Sequence, residues 1–589
     1  MIYLLKNIRK RNIIYFIFVI CFVILQVWLE LTLPEYTKAL TGAINSNTAT
    51  MDVVWKNGGM MLLCAGGSMI SALACGFCCA KVAADFAKTL REMLFHKVNH
   101  FSTADINKFS VPSLITRTTN DVVQLQMFVA MGTQMAIKAP IMAIWALTKI
   151  SKTSVAWTVS TGVCIAIIVV TVLLVFLLCF PKFKKIQKLT DDLNDATREN
   201  VSGVRVIRAF NAEQFQNKKF DEVNSNVTNT NLFTSRIMGL MTPIMTICMN
   251  GLTLAIYWIG SNLINNSVDD NIFVQIENRL DIYSNMVVFS SYALQVVMSF
   301  MMLIMIFILM PRVLVSANRI KEVLKTEILI KDGNMDIATN EKGHIEFKNV
   351  SFSYSDGENV AVSDISFEAK PGQTIAFIGA TGSGKTTIMN LLNRFYEATS
   401  GEILLNGINI KDYKLEDLRD RISIASQKAI LFKGDIKSNI TYGCDEQIDD
   451  NDPRLEKAIR ISKADFVYDL KDGIHSEVSQ GGTNFSGGQK QRLSIARAVF
   501  KKSEVVVFDD TFSALDYKTD MLVRKAVSEE LKDSTIIIVA QRIGTIKNAQ
   551  TIVLLDDGKI SDIGTHEELL KRSKLYQDIA LSQLSKEEL

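Results

Sequence analysis

Residues 374–392, TIAFIGATGSGKTTIMNLL, run from a strand-like apolar stretch through a glycine loop into a helix-favouring segment. The loop reads Gly379-x-x-x-x-Gly384-Lys385-Thr386, with Thr381, Gly382 and Ser383 inside it and Thr387 behind. Glycines let successive backbone N–H groups turn inward around phosphate oxygens at a helix start. Lys385 adds a point charge, and Thr386 offers a hydroxyl to Mg²⁺. Farther on, NFSGGQKQRLSIARAV (484–499) sets Ser486, Gly487, Gly488 and Gln489 at the start of an amphipathic helix, a second anion-binding pattern. VVVFDDTFSALD (505–516) places Asp509 and Asp510 where a buried strand emerges, with Asp516 just after. Together these groups have the chemistry to grip a polyphosphate with a divalent cation.

The elements that must position them begin at residue 344. From there β-branched strands alternate with helical segments, which predicts an α/β domain with parallel strands over 344–589. A polar stretch, 326–343, reads as a linker. Residues 1–325 are different in kind. The chain is 48% apolar with mean hydropathy +0.19, and the excess gathers in runs at 13–33, 58–80, 128–147, 155–180, 237–263 and 286–310. Each approaches the ~20 residues needed to cross a bilayer. The first run is too long for a signal peptide and lacks a small-x-small cleavage site. The expected fold class is a six-helix all-α transmembrane domain with long cytoplasmic helical extensions, fused to a C-terminal α/β P-loop ATPase domain.

Lys and Arg set the orientation. Lys81, Lys88, Arg91, Lys97, Lys108 and Arg117 crowd the first inner connection, and a longer set, including Lys182 and Arg208, crowds the second. Basic loops stay cytoplasmic. Lys6, Arg9, Lys10 and Arg11 place the amino terminus inside, and six crossings leave the α/β domain inside too. A net charge of +3 with no basic stripe beside aromatics argues against nucleic acid as a partner. Eight of nine cysteines lie in the apolar runs, so no disulfide framework is implied. Cys75, Cys78 and Cys79 read as close helix packing.

The inner connections are long, charged and helix-favouring, so the membrane helices are expected to continue about 30 Å into the cytosol. At their tips lie SLITRTTNDV (113–122) and ENVSGVRVIRAF (199–210), each readable as a solvated bend or a short transverse helix. Met298, Met301, Met302 and Met305 share a helix face, as do Met241, Met245 and Met249. Packing or lipid contact is the first explanation, and adaptable contact with apolar ligands the second. Lys138 within an apolar run is either a snorkelling lysine or a functional group. The outer connection with Asp269, Asp270, Glu277 and Asp281 reads as a gate or a solvated loop.

With these motifs assembled, the chain resembles a half-transporter of the ATP-binding cassette (ABC) exporter family, multidrug type, over nearly its whole length. Residues 379–387 resemble a Walker A loop, 505–510 a Walker B strand and Ser486 to Gln489 the ABC signature. The resemblance implies ATP and Mg²⁺ as ligands. It makes Tyr354 the platform on which adenine stacks, Gln427 the glutamine that reaches Mg²⁺, Asp509 a metal ligand alongside Thr386, and Asp516 a contact to the opposite nucleotide domain. Glu477 falls in a segment that touches the coupling helices, and 113–122 and 199–210 become those coupling segments.

Two positions depart from the family pattern: Asp510 stands for the catalytic glutamate and Gln541 for the γ-phosphate histidine. Phe485 for leucine is a milder change. A carboxylate withdrawn by about 1 Å costs about 10²-fold in rate, and an amide cannot exchange protons near neutral pH as imidazole does. The family pairs two nucleotide domains head to tail. The expectation is therefore a degenerate-site subunit of a heterodimeric exporter in a bacterial inner membrane, moving hydrophobic or amphipathic compounds. Its partner is a second half-transporter whose hydrolytic site the intact signature completes. A slow homodimer, an ATP-gated channel and a lipid or peptide carrier are the alternatives.

Overall fold

The computed structural model describes residues 2–5, 10–45, 50–151, 155–267, 272–333, 342–354, 360–444 and 448–583. Lys6, Arg9, Asp269, Asp270 and residues 334–341 of the expected linker lie outside them. Two compact units result: Met1–Asn99 with Val111–Thr326, and His100–Ser110 with Glu327–Leu589.

The first unit is helical. Among the described residues, six spans are long and apolar enough to cross a membrane: Asn12–Ile44, Met51–Asn99, Val111–Ile150, Val155–Ser202, Glu213–Asn266 and Val274–Lys325. Each contains one of the apolar runs and extends well past it, because the flanking sequence is charged yet helix-favouring. Inside the unit, Val23, Val27, Ile168, Ile256, Ala293 and Val296 are fully buried in one apolar cluster. Met245 is buried there and Met241 and Met249 pack against it, so these three methionines serve ordinary packing.

Residues 113–122 remain in this unit. Arg117 donates to the Arg319 carbonyl at 2.9 Å and to Glu322 at 2.7 Å, while Asp121 accepts from Ser316 at 2.9 Å. The stretch of the first inner connection that folds with the second unit is instead His100–Ser110. Its helix, Thr103–Phe109, opens on a reciprocal capping box between Ser102 and Asp105 and ends at Ser110, whose φ is 62°. In the second connection, a short helix, Val204–Ala209, forms inside 199–210.

Among the described residues the second unit carries two large sheets and a small two-stranded one, Gly434–Asp435 with Glu477–Val478. Of the large sheets, one is antiparallel, in the order Val362–Ala369, Ile345–Phe352, Ser400–Leu405, Ile408–Asn409. The other runs Lys559–Gly564, Thr551–Asp556, Thr374–Gly379, Thr535–Val539, Val505–Asp509, Ile422–Ala425, parallel except at its first edge. Val505–Asp509 and Thr535–Val539 are buried at every residue, as strands covered on both faces must be. Val539 pairs with Phe377 on one side and Asp509 on the other. The glycine loop and the paired aspartates therefore leave the sheet at the same edge, outside the carboxyl ends of parallel strands, where such folds bind ligands.

Candidate functional site

The loop after Thr374–Gly379 leads into the helix Lys385–Leu392. Gly384 turns the corner at φ 94°, and a Cβ there would lie 2.5 Å from a Val362 methyl carbon, so only glycine fits. Lys385 is 8% exposed. Its ammonium donates to the carbonyls of Gly379 and Ala380 at 2.9 and 2.7 Å and to Ser383 Oγ at 3.1 Å. Burial lowers its pKa, with Asp510 and Asp509 pulling the other way. Thr381 and Gly382 are exposed at the loop tip, and Thr387 is buried one step along the helix.

Thr386 Oγ1 donates to Asp509 Oδ1 at 3.4 Å. Burial raises the Asp509 carboxyl above its ordinary range, opposed by the Thr386 hydrogen bond and reinforced by Asp510. A hydroxyl and a buried carboxylate sharing one point are a hard oxygen pair of the kind Mg²⁺ selects, so the residues fit that ion.

Asp510 sits in the left-handed region at φ 47°, ψ 27°. For a residue other than glycine that is a strained conformation. It is pinned from several sides: its N–H donates to the Val539 carbonyl at 2.9 Å, and its carbonyl accepts from Ser513 Oγ at 2.7 Å. Two amides converge on its carboxylate. Gln427 Nε2 donates to Oδ2 at 2.9 Å and Gln541 Nε2 donates to the same oxygen at 3.0 Å. Gln427 thus offers its amide nitrogen to Asp510 and leaves its oxygen as the atom suited to a cation.

Supporting residues absent from the sequence reading hold these glutamines. Gln491, 2% exposed, donates to the Ser426 carbonyl at 3.0 Å and so anchors the segment carrying Gln427. Gln583 donates to the Gln541 carbonyl at 2.8 Å and accepts from the Ile543 N–H at 2.8 Å. A buried glutamine in an amphipathic helix signals the first; nothing local signals the second.

Tyr354 is 37% exposed. Its hydroxyl lies 3.1 Å from Thr387 Oγ1, and Phe352 and Tyr396 meet it edge-on at 4.8 and 5.2 Å between ring centres. Tyr396 in turn accepts from Asn107 of the Thr103–Phe109 helix at 3.3 Å.

The signature residues assemble separately. Ser486 caps the helix Gly487–Phe500 reciprocally with Gln489: the Gln489 N–H donates to Ser486 Oγ at 3.3 Å, and the Ser486 N–H donates to Gln489 Oε1 at 2.9 Å. Phe485 is buried against Phe466, which accommodates the larger ring. Asp516 caps the helix Tyr517–Glu530 by accepting from the Thr519 N–H at 3.0 Å, and that contact lowers its pKa. Glu477 is exposed in a short strand paired with Gly434–Asp435.

Comparison with known proteins bears on the family and the fold. Residues 16–278 match the family model "ABC transporter transmembrane region" and residues 362–513 the model "ABC transporter". An uncharacterised ABC transporter ATP-binding protein of Mycobacterium tuberculosis is 34% identical over 564 residues, covering 94% of this chain and 93% of the relative. An ATP-dependent lipid A-core flippase of Haemophilus influenzae is 29% identical over 531 residues, 90% of this chain and 87% of the relative. The fold matches a bacterial Atm1-family ABC exporter with ATP bound at a TM-score of 0.79 and 22% identity, over 97% and 98% of the two chains. The chain therefore belongs to the ABC transporter family, as an exporter half-transporter in which six membrane-crossing helices precede an ATPase domain whose hydrolysis of ATP drives transport across the membrane.

Proposed function

We propose that this chain is the degenerate-site subunit of a heterodimeric exporter. The observation that carries the reading is the shared carboxylate oxygen: Asp510 Oδ2 already accepts from Gln427 and Gln541. Those donors occupy one of the two oxygens that a general base could turn toward water. An aspartate is also one methylene shorter than the family's glutamate. Binding is served by other groups: Lys385 with the glycine loop for phosphates, Tyr354 for adenine, and Thr386, Asp509 and the Gln427 oxygen for Mg²⁺. When bound there, the ion would supply neutralisation of phosphate charge.

The signature supports a pairing in which this chain completes another site. A Cβ at Gly487 would meet nothing within 4 Å. The chain's own packing thus does not call for glycine there, whereas close approach of a partner's nucleotide to the helix start does. Ser486, Gly488, Gln489 and Asp516 belong to the same opposing face. His100–Ser110, joined to Tyr396 through Asn107, couples nucleotide binding to the membrane helices.

The cargo is a hydrophobic or amphipathic compound. A lipid is favoured among these by the relatives named lipid A-core flippases, from Haemophilus influenzae and Saccharophagus degradans. The test is ATPase activity per site for the chain purified alone and for the chain co-purified with a half-transporter carrying Glu and His at the matching positions. A rate rising at least tenfold on pairing is expected; equal rates per site overturn the heterodimer in favour of a slow homodimer. ATP-dependent dye accumulation in inside-out vesicles is expected of the pair, and its absence would leave a gated channel.

A further inference from the structure

The membrane unit contains an ion pair inside its spans. Lys138 Nζ donates to Glu30 Oε1 at 2.9 Å, the two side chains being 13% and 25% exposed. At 1.5 Å per residue, Lys138 lies about 18 Å below the end of its span at Ile150. A snorkelling lysine carries its ammonium to the head groups; this one ends on a carboxylate. The same Glu30 oxygen accepts from Gln26 Nε2 at 2.9 Å and Ser68 Oγ at 3.3 Å.

Beside the pair opens a cavity of about 290 Å³, which Glu30, Lys138, Gln295, Met142, Met298 and Met302 help to line. Gln295 donates to the Glu30 carbonyl at 3.3 Å, while its own side-chain oxygen is buried with no partner among the described residues. A buried acceptor left unmade is costly, and a brace between helices has no use for one. Three flexible thioethers in the lining suit an apolar chain of variable shape.

The charges decide what occupies it. A cation or an anion alone would split the pair and leave the other member buried without a counter-charge, which is strongly unfavourable. An uncharged apolar ligand would leave the Gln295 oxygen unmet. A ligand carrying both charges exchanges one ion pair for two and adds no net charge to the site. We propose that this cavity binds the head group of a zwitterionic amphiphile, its ammonium on Glu30 and the Gln295 oxygen, its anion on Lys138, and its chain along Met142, Met298 and Met302. That this ligand is the exporter's cargo rests on the function proposed above; its binding requires no nucleotide.

The test uses the full chain in phosphatidylglycerol nanodiscs without ATP, reading binding of tritiated dodecylphosphoethanolamine by scintillation proximity. Dodecylammonium, dodecyl phosphate and dodecanol compete as chain-matched probes. The zwitterion is expected to bind about tenfold tighter than any of them. Glu30→Gln should weaken the zwitterion and strengthen dodecyl phosphate, and Lys138→Met should weaken the zwitterion and strengthen dodecylammonium. Glu30→Gln with Lys138→Met leaves no lone buried charge, so it folds even if a single variant does not, and it should bind the zwitterion no better than dodecanol. A singly charged or neutral probe ranking first on the native chain, or a zwitterion preference surviving in the double variant, overturns the proposal. Because ATPase activity and vesicle transport are measured separately, such a result would leave the exporter function standing.

Discussion

Gln541 donates its side-chain amide to Asp510 Oδ2 across 3.0 Å, at the spot where the family pattern pairs a histidine with a glutamate. The two departures are thus in direct contact. An amide donor against a short carboxylate makes a stable hydrogen bond but no proton shuttle. Each substitution suits the other, which a single change would not.

Restoring both groups should restore turnover. Asp510→Glu with Gln541→His is expected to raise ATP hydrolysis at this chain's Walker site by about 10²-fold, the size of a general-base and positioning effect. Single-turnover hydrolysis with the partner's own site disabled provides the measurement. No acceleration in the double variant would refute the geometric account.

Lys385 is held by three acceptors in its own loop, so Lys385→Ala removes the phosphate charge and leaves those acceptors without their donor. ATP affinity should fall by about 10²-fold, or ~2.7 kcal/mol, followed by fluorescence of a trinitrophenyl-ATP analogue. Tyr354→Ala should weaken ATP and ADP alike, since the contact proposed for it is to the base.

Ser486→Ala removes the cap of the signature helix. A loss of about 1 kcal/mol in stability is expected from the cap alone, measurable as a lowered unfolding midpoint. Turnover at the partner's site should fall with it, while ATP binding by this chain's own Walker residues stays unchanged. The reverse pattern would mean the signature serves the chain's own pocket.

His475 lies between two carboxylates, Nε2 3.0 Å from Asp450 and Nδ1 3.3 Å from Asp435. Asp450 first and Asp435 second raise its pKa above the ordinary 6.5. The folded state thus favours the protonated ring. Its stabilisation is complete below the unfolded value and is lost as pH rises through the raised folded value. Amide exchange in Glu477–Val478, next to this cluster, should accelerate as pH climbs from 6 to 8 beyond the intrinsic base-catalysed trend. His475→Gln should abolish that excess.

The sequence made the phosphate loop legible because its chemistry is local: Gly384 needs a positive φ, and Lys385 and Thr386 follow within two residues. The six apolar runs were legible for a similar reason, since a bilayer imposes length and composition on each helix singly. What escaped notice depends on pairing at a distance. Glu30 meets Lys138 from another helix, and no periodicity in either segment announces it. The Thr103–Phe109 helix had a readable start in Ser102 and Asp105, but its affiliation with the nucleotide-binding unit comes from tertiary contacts such as Asn107 with Tyr396. Residues 113–122 look equally suited by composition, and tertiary contacts such as those of Arg117 and Asp121 with the last membrane helix separate the two.

Gln583 grips both the Gln541 carbonyl and the Ile543 N–H, so the stretch just past the helix Lys574–Leu581 is moored to the short peptide that aims Gln541. A protein or antibody that seizes this stretch would tug on that mooring, and rates measured with it bound would describe an altered pocket.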